Sequence, residues 1–138
     1  MVFENAVFAV SYDLILYALR SDNGHRLWNA HLTGRVEEAP QVTPYGLAVK
    51  PIFSREIHLY GMGDGMPRGS YTLPGREDYF TSELLYVNER LFVGTYGGKV
   101  LALDFVEMGE RTDGEPEETA QEEEKEEEEE KEVGRGKP

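Results

Sequence analysis

The chain contains no cysteine. Thiolate nucleophiles, cysteine-ligated zinc, iron–sulfur clusters, disulfide frameworks and lipid attachment through cysteine are excluded with it. Basic residues are scarce: 14 Lys and Arg face 27 Asp and Glu, a formal net charge of −13 at pH 7. That balance disfavours nucleic-acid phosphate backbones and anionic lipid surfaces as partners. Long apolar runs are missing too. The longest, Leu14 to Leu19, falls far below the roughly 20 residues of a membrane-spanning helix. Met1 to Asn5 carries an acid where an export signal needs bases, and no Asn-x-Ser/Thr acceptor occurs. The expectation is a soluble, cytoplasmic protein with no membrane partner; 138 residues allow about one domain.

What charge there is lies unevenly. Residues 1–106 hold 12 acids and 9 bases, whereas residues 107–138 hold 15 acids and 5 bases. Beyond Phe105 and Val106 only Met108, Ala120 and Val133 are apolar, and Glu122 to Glu132 consists of nine Glu and two Lys. Such a segment has nothing to bury against the entropy of ordering its backbone. The reading is a body over residues 1–106 followed by a disordered or frayed-helical acidic tail over 107–138. Glu122 to Glu132 could attract a basic partner, although a Glu-rich run attracts cations without selecting among them.

The body is a succession of short strands. Val7 to Val10, Leu14 to Leu19, Leu47 to Val49, Ile57 to Tyr60, Leu91 to Val93 and Val100 to Leu103 are separated by turn-forming pieces such as Asp22-Asn23-Gly24 and Gly97-Gly98. This pattern reads as all-β. No window sustains the 3.6-residue apolar period of a core helix. Several strands, Val100 to Leu103 among them, are apolar on both faces, which suits sheets packed between other sheets.

An internal repeat organises these strands. Val7 to Arg20 aligns without a gap onto Leu91 to Asp104, with Phe8/Phe92, Tyr12/Tyr96, Ala18/Ala102 and Leu19/Leu103 identical at a spacing of 84 residues. A degenerate middle copy, Leu47 to Lys50 with Arg55 to Tyr60, lies near half that distance. A period of about 40–50 residues with four short strands per unit is that of a β-propeller blade. Leu16 to Trp28 (LYALRSDNGHRLW) and Leu91 to Asp104 (LFVGTYGGKVLALD) resemble the quinoprotein-type, or PQQ-like, propeller repeat. The resemblance implies that Gly24 turns the chain between third and fourth strands and that Trp28 packs between blades. Tyr71 is the expected counterpart of Trp28 in the middle copy, which shows no clean glycine turn. Asp13-Leu14 stands where the third copy has Gly97-Gly98, so the first hairpin is expected to lack the cheap glycine conformation.

Strands are expected near residues 6–11, 14–19 and 26–32; 36–43, 47–51, 56–61 and 69–73; and 79–87, 91–95 and 99–104. These make an incomplete β-propeller of antiparallel four-stranded blades, about two and a half in number, truncated or minimal. The first copy is expected to lack its opening strand and the third its closing one.

Quinone enzymes with this repeat carry a catalytic acid, calcium ligands and, in several, adjacent cysteines; none can be assigned here. Gly61 to Gly69 lacks the helix that a phosphate loop requires and reads as a flexible connection. His25, His31 and His58 lack metal-ligand spacing, and Asp64, Glu77 and Asp78 read as solvated loop acids. Trp28, Tyr71, Tyr79 and Phe80 read as blade-packing core. No catalytic, cofactor or metal residue is expected; the residues singled out are Gly24, Trp28, Tyr71, Gly97 and Gly98. The functional expectation is a non-enzymatic module acting by contact with a protein partner or by self-assembly into a homo-oligomer. The alternatives are a fragment of a larger quinoprotein-like dehydrogenase and an acidic-tail chaperone or mimic.

Overall fold

The computed structural model describes residues 2–107, so the acidic segment lies outside the described residues from residue 108 onward. Among the described residues every regular element is a β-strand, and no helix is long and apolar enough to cross a membrane. Eleven strands form three antiparallel sheets. The first contains β1 (Val2–Phe3), β2 (Ala6–Ser11), β3 (Ile15–Arg20) and β4 (Arg26–His31) in sequential order. The second contains β5 (Gln41–Thr43), β6 (Gly46–Val49), β7 (Glu56–Tyr60) and β8 (Pro67–Thr72). The third contains β9 (Leu85–Val87), β10 (Arg90–Gly94) and β11 (Val100–Leu103).

Short connections dictate this up-and-down order. Asn88 and Glu89 join β9 to β10 with φ of 52° and 67°, the left-handed pair that matches strand twist in a two-residue hairpin. Two connections between third and fourth strands are alike. A bulge at Ala18/Leu19 precedes one and a bulge at Leu59/Tyr60 the other, and each bends its strand into a turn. The Gly24 N–H then donates to the Arg20 carbonyl and the Gly65 N–H to the Gly61 carbonyl, both at 2.9 Å. The first and second sheets are thus repeats 41 residues apart over this region.

The ladders correct several sequence expectations. The first sheet does have an opening strand, β1, which is too short to show a periodicity. The strand expected over 36–43 begins only at Gln41, and that over 79–87 begins at Leu85, Phe80 making an isolated bridge to Thr95. Among the described residues the third sheet lacks its closing strand as expected, so the sheets hold four, four and three strands, an incomplete third blade, and they do not close into a ring.

Two cores hold the stack together. Phe8, Leu16 and Ala18 of the first sheet pack with Leu47, Val49 and Tyr60 of the second. Ala48 and Ile57, on the opposite face of the second sheet, pack with Leu91, Val93, Leu101 and Leu103 of the third. All four residues of β6 are buried, as an apolar strand between two sheets must be. Each fully buried Phe or Leu contributes about 1.5–3 kcal/mol.

Candidate functional site

The seam between the first two sheets is built around Trp28. From β4 its half-buried indole reaches the β7–β8 turn, donating Nε1–H to the Met62 carbonyl at 2.9 Å. The Phe8 ring lies 6.0 Å away, centroid to centroid. Gly65 is the seat: its φ is +73°, and a Cβ there would stand 2.4 Å from the indole. The glycine-rich stretch expected to be a flexible connection is thus a formed receptacle. Asp64 shapes it by accepting the Met66 N–H at 3.0 Å and pairing with Arg68 at 3.0 Å. The backbone N–H at Met66 holds the Asp64 carboxyl below its usual pKa, with help from Arg68.

Gly24 occupies the matching turn of the first sheet, φ +77°, with open space around it. The middle copy has the same turn at Gly65, so the expectation that it lacks one is corrected. The counterpart of Trp28 also changes. Trp28 stands opposite Ala18, and 41 residues on Gly69 stands opposite Leu59. Gly69, not Tyr71, occupies the tryptophan position; the bulges fix a spacing shorter by two than the one assumed. Tyr71 stands opposite Ile57 and packs against the second core, 6.4 Å from the Phe80 ring.

Gly97 and Gly98 form the β10–β11 turn. The Gly97 N–H donates to Asp78 Oδ1 at 2.7 Å, and Gly98 has φ +94°. Leu14 is 84 residues earlier and adopts φ +69°, a conformation costing a side chain about 1–2 kcal/mol. The first hairpin uses the glycine geometry after all, under strain. Next to it Asp13 accepts the Ile15 N–H at 3.1 Å and the Tyr17 hydroxyl at 2.7 Å. That hydroxyl lowers the Asp13 pKa, and the carboxylate raises that of Tyr17.

The remaining polar candidates do not converge. Asp64 and Asp78 lie at opposite ends of the sheets, one at the β7–β8 turn and the other at the β10–β11 hairpin. His25 and His31 are exposed, and His58 pairs with Glu56 at 3.0 Å. Among the described residues no group of three or more His, Asp or Glu is placed to hold a metal ion. Two features escaped the sequence reading. Lys50 is buried with its ammonium 3.2 Å from Glu38, and nothing in a lone Lys after an apolar strand signals this. Tyr79 stacks on exposed Tyr96 at 4.9 Å with Phe53 edge-on to it; the alignment of Tyr96 with Tyr12 at a hairpin tip was the available clue.

The two outer faces of the stack mix apolar and polar residues: Asn29 and His31 share that of the first sheet with Tyr17 and Ile15, and the Arg90–Asp104 ion pair shares that of the third with Phe92. On the first sheet Val7, Ala9, Tyr17 and Leu19 point away from the second, because their neighbours in the ladder, Phe8, Leu16 and Ala18, point towards it. On the third sheet the outward residues include Leu85 and Val100, 57% and 58% exposed, and Phe92.

No protein-family model and no curated protein matches this chain. Solved structures do. BamB from Moraxella catarrhalis is similar at TM-score 0.57 and 15% identity, over 75% of this chain and 31% of that one. A quinohemoprotein alcohol dehydrogenase from Pseudomonas putida HK5 is similar at TM-score 0.64 and 16% identity, over 75% of this chain and 18% of the enzyme. A europium-containing methanol dehydrogenase gives TM-score 0.62 and 16% identity, over 75% of this chain and 22% of that one. The likeness is one of fold: the chain has the blade architecture of PQQ-type propellers and spans less than a third of the length of these structures.

Proposed function

We propose that this chain is a non-catalytic blade module that works by protein–protein contact through its two outer sheet faces. One observation carries the reading: the end sheets present apolar residues outward, with Leu85 and Val100 more than half exposed. A terminal sheet facing water normally alternates apolar inward and polar outward. Contiguous exposed apolar surface marks a place where another molecule docks. The side-chain chemistry supports it as well, since Asp13, Asp22, Asp64 and Asp78 are engaged in shaping turns or pairing with arginines.

Dye binding tests this. At dilution, where any assembly dissociates, an apolar-surface dye should bind the wild-type chain and bind less to the double variant Ala9→Glu/Val100→Glu. Dye binding that is absent from the wild type, or unchanged in the variant, overturns the contact reading.

A second reading, a piece of a larger quinoprotein-like dehydrogenase, is favoured by the small fraction of the two dehydrogenases that the chain spans. In that case the outer faces receive further blades of the same polypeptide, and a coding sequence continuing the repeat on either side decides for it. Cytoplasmic location is part of the proposal, and cell fractionation tests it.

A further inference from the structure

The 84-residue spacing relates the two outer faces to the two interfaces already formed. Phe8, Leu16 and Ala18 are the first sheet's contact with the second; their equivalents on the third sheet, half-buried Phe92, exposed Val100 and buried Ala102, lie on its outer side. Leu91, Val93, Leu101 and Leu103 are the third sheet's contact with the second; their equivalents, Val7, Ala9, Tyr17 and Leu19, form the outer face of the first sheet. One outer face therefore repeats the surface that docks onto a following blade. The other repeats the surface that receives a preceding one. A single chain carries both halves of one interface.

We infer that the occupant of each outer face is a second copy of this chain, joined head to tail, the third sheet of one copy packing on the first sheet of the other. This rests on the contact reading above and names its partner. The area argument favours closure over a single contact. At about 4.8 Å between strands and about five residues per strand at 3.3 Å each, the four strands of the first sheet and the three of the third give faces of about 320 and 240 Å² in plan. One contact pairs one face of each kind and covers about 560 Å², the size of an incidental packing contact; two contacts cover about 1,100 Å², just past the roughly 1,000 Å² that a specific interface needs. Stoichiometry follows from blade number. Closed propellers have about four to eight blades. With three sheets per chain, two copies supply six and three copies supply nine, so a closed ring is a dimer.

A cysteine-free chain makes the test clean. Full-length Ala9→Cys and Val100→Cys are prepared separately, each checked for native circular dichroism, and treated with a short bis-maleimide alone and after mixing. Ala9 lies on the receiving face and Val100 on the docking face, so the mixture should give a cross-linked dimer as its dominant product and each variant alone only traces. Equal or greater cross-linking of either variant with itself would mean a face-to-face contact and overturn the inference. Absence of cross-linking in the mixture would also overturn it. The dilution dye assay then separates the two readings: dye bound by a chain that does not cross-link leaves the contact reading standing without a second copy, whereas no dye binding removes both.

Discussion

The two equivalent turns make Gly65→Ala and Gly24→Ala an internal control for each other. Both glycines sit near φ +75°, at +73° and +77°, so an added methyl costs each about 1–2 kcal/mol in backbone strain. They differ in surroundings. A Cβ at Gly24 meets nothing within 4 Å, whereas at Gly65 it would be 2.4 Å from the Trp28 ring. Overpacking of that kind costs about 1–3 kcal/mol more, so Gly65→Ala should lose roughly 2–5 kcal/mol and Gly24→Ala about 1–2. Trp28→Ala alone should cost about 3 kcal/mol through lost aromatic packing, with a further loss of about 1 kcal/mol from its hydrogen bond to Met62. Combining Trp28→Ala with Gly65→Ala removes the clash, so the glycine substitution then costs only its strain and the pair is non-additive. Urea denaturation followed by far-ultraviolet circular dichroism measures all four chains without depending on the single tryptophan. Equal losses for the two glycine variants, or additivity of the Trp28 and Gly65 changes, would refute the seat.

Further expectations follow from single residues. Leu14→Gly should raise the melting temperature, because it relieves the φ +69° strain at a 40% exposed side chain, while Gly98→Leu should lower it by the 4–8 °C that about 1 kcal/mol represents in a domain of this size. Lowered in the folded state, the Asp13 pKa makes its contribution to stability complete above its ordinary value of 3.8 and lost as pH falls through the folded value. The Tyr17 pKa is raised, so its contribution is present below pH 10.0 and lost as pH climbs through the folded value. Carboxyl NMR should find Asp13 titrating closer to 3.8 in Tyr17→Phe; an unmoved titration would show that the hydroxyl is not the cause. A chain ending at residue 107 should melt within about 5 °C of the full chain. One ending at 104 should melt well below it, because Phe105 stacks on Tyr45 at 4.5 Å and meets Tyr86 edge-on. Equal melts for the two truncations would show that Phe105 contributes nothing.

The strands were legible wherever apolar residues alternate or run between turns, as at Val7 to Val10 and Val100 to Leu103, because strand propensity and burial point the same way there. Length set the limit. Two residues of β1 carry no periodicity, and the stretch at 79–84, opened by Tyr79 and Phe80, reads as strand although it is mostly irregular chain feeding β9. The middle copy misled for a different reason. Bulges at Leu19 and Tyr60 shift register without leaving a mark in composition, so an aromatic two positions away passed for the counterpart of Trp28. The tryptophan seat was half visible: Trp28 announced itself, but nothing local tied it to Gly65, 37 positions further on. The apolar part of the outer faces was legible in the strands. Their equivalence to the inner interfaces needed the ladders, since the repeat gives spacing and only pairing gives direction.

Sedimentation equilibrium of the full-length chain at micromolar concentration, alongside Ala9→Glu and Val100→Glu, shows whether the outer faces join two copies. The head-to-tail ring gives a wild-type mass of twice 15.6 kDa and a return to the single-chain mass in either variant, since each removes one face that every contact in the ring requires. A wild-type chain that sediments at 15.6 kDa under the same conditions would contradict it.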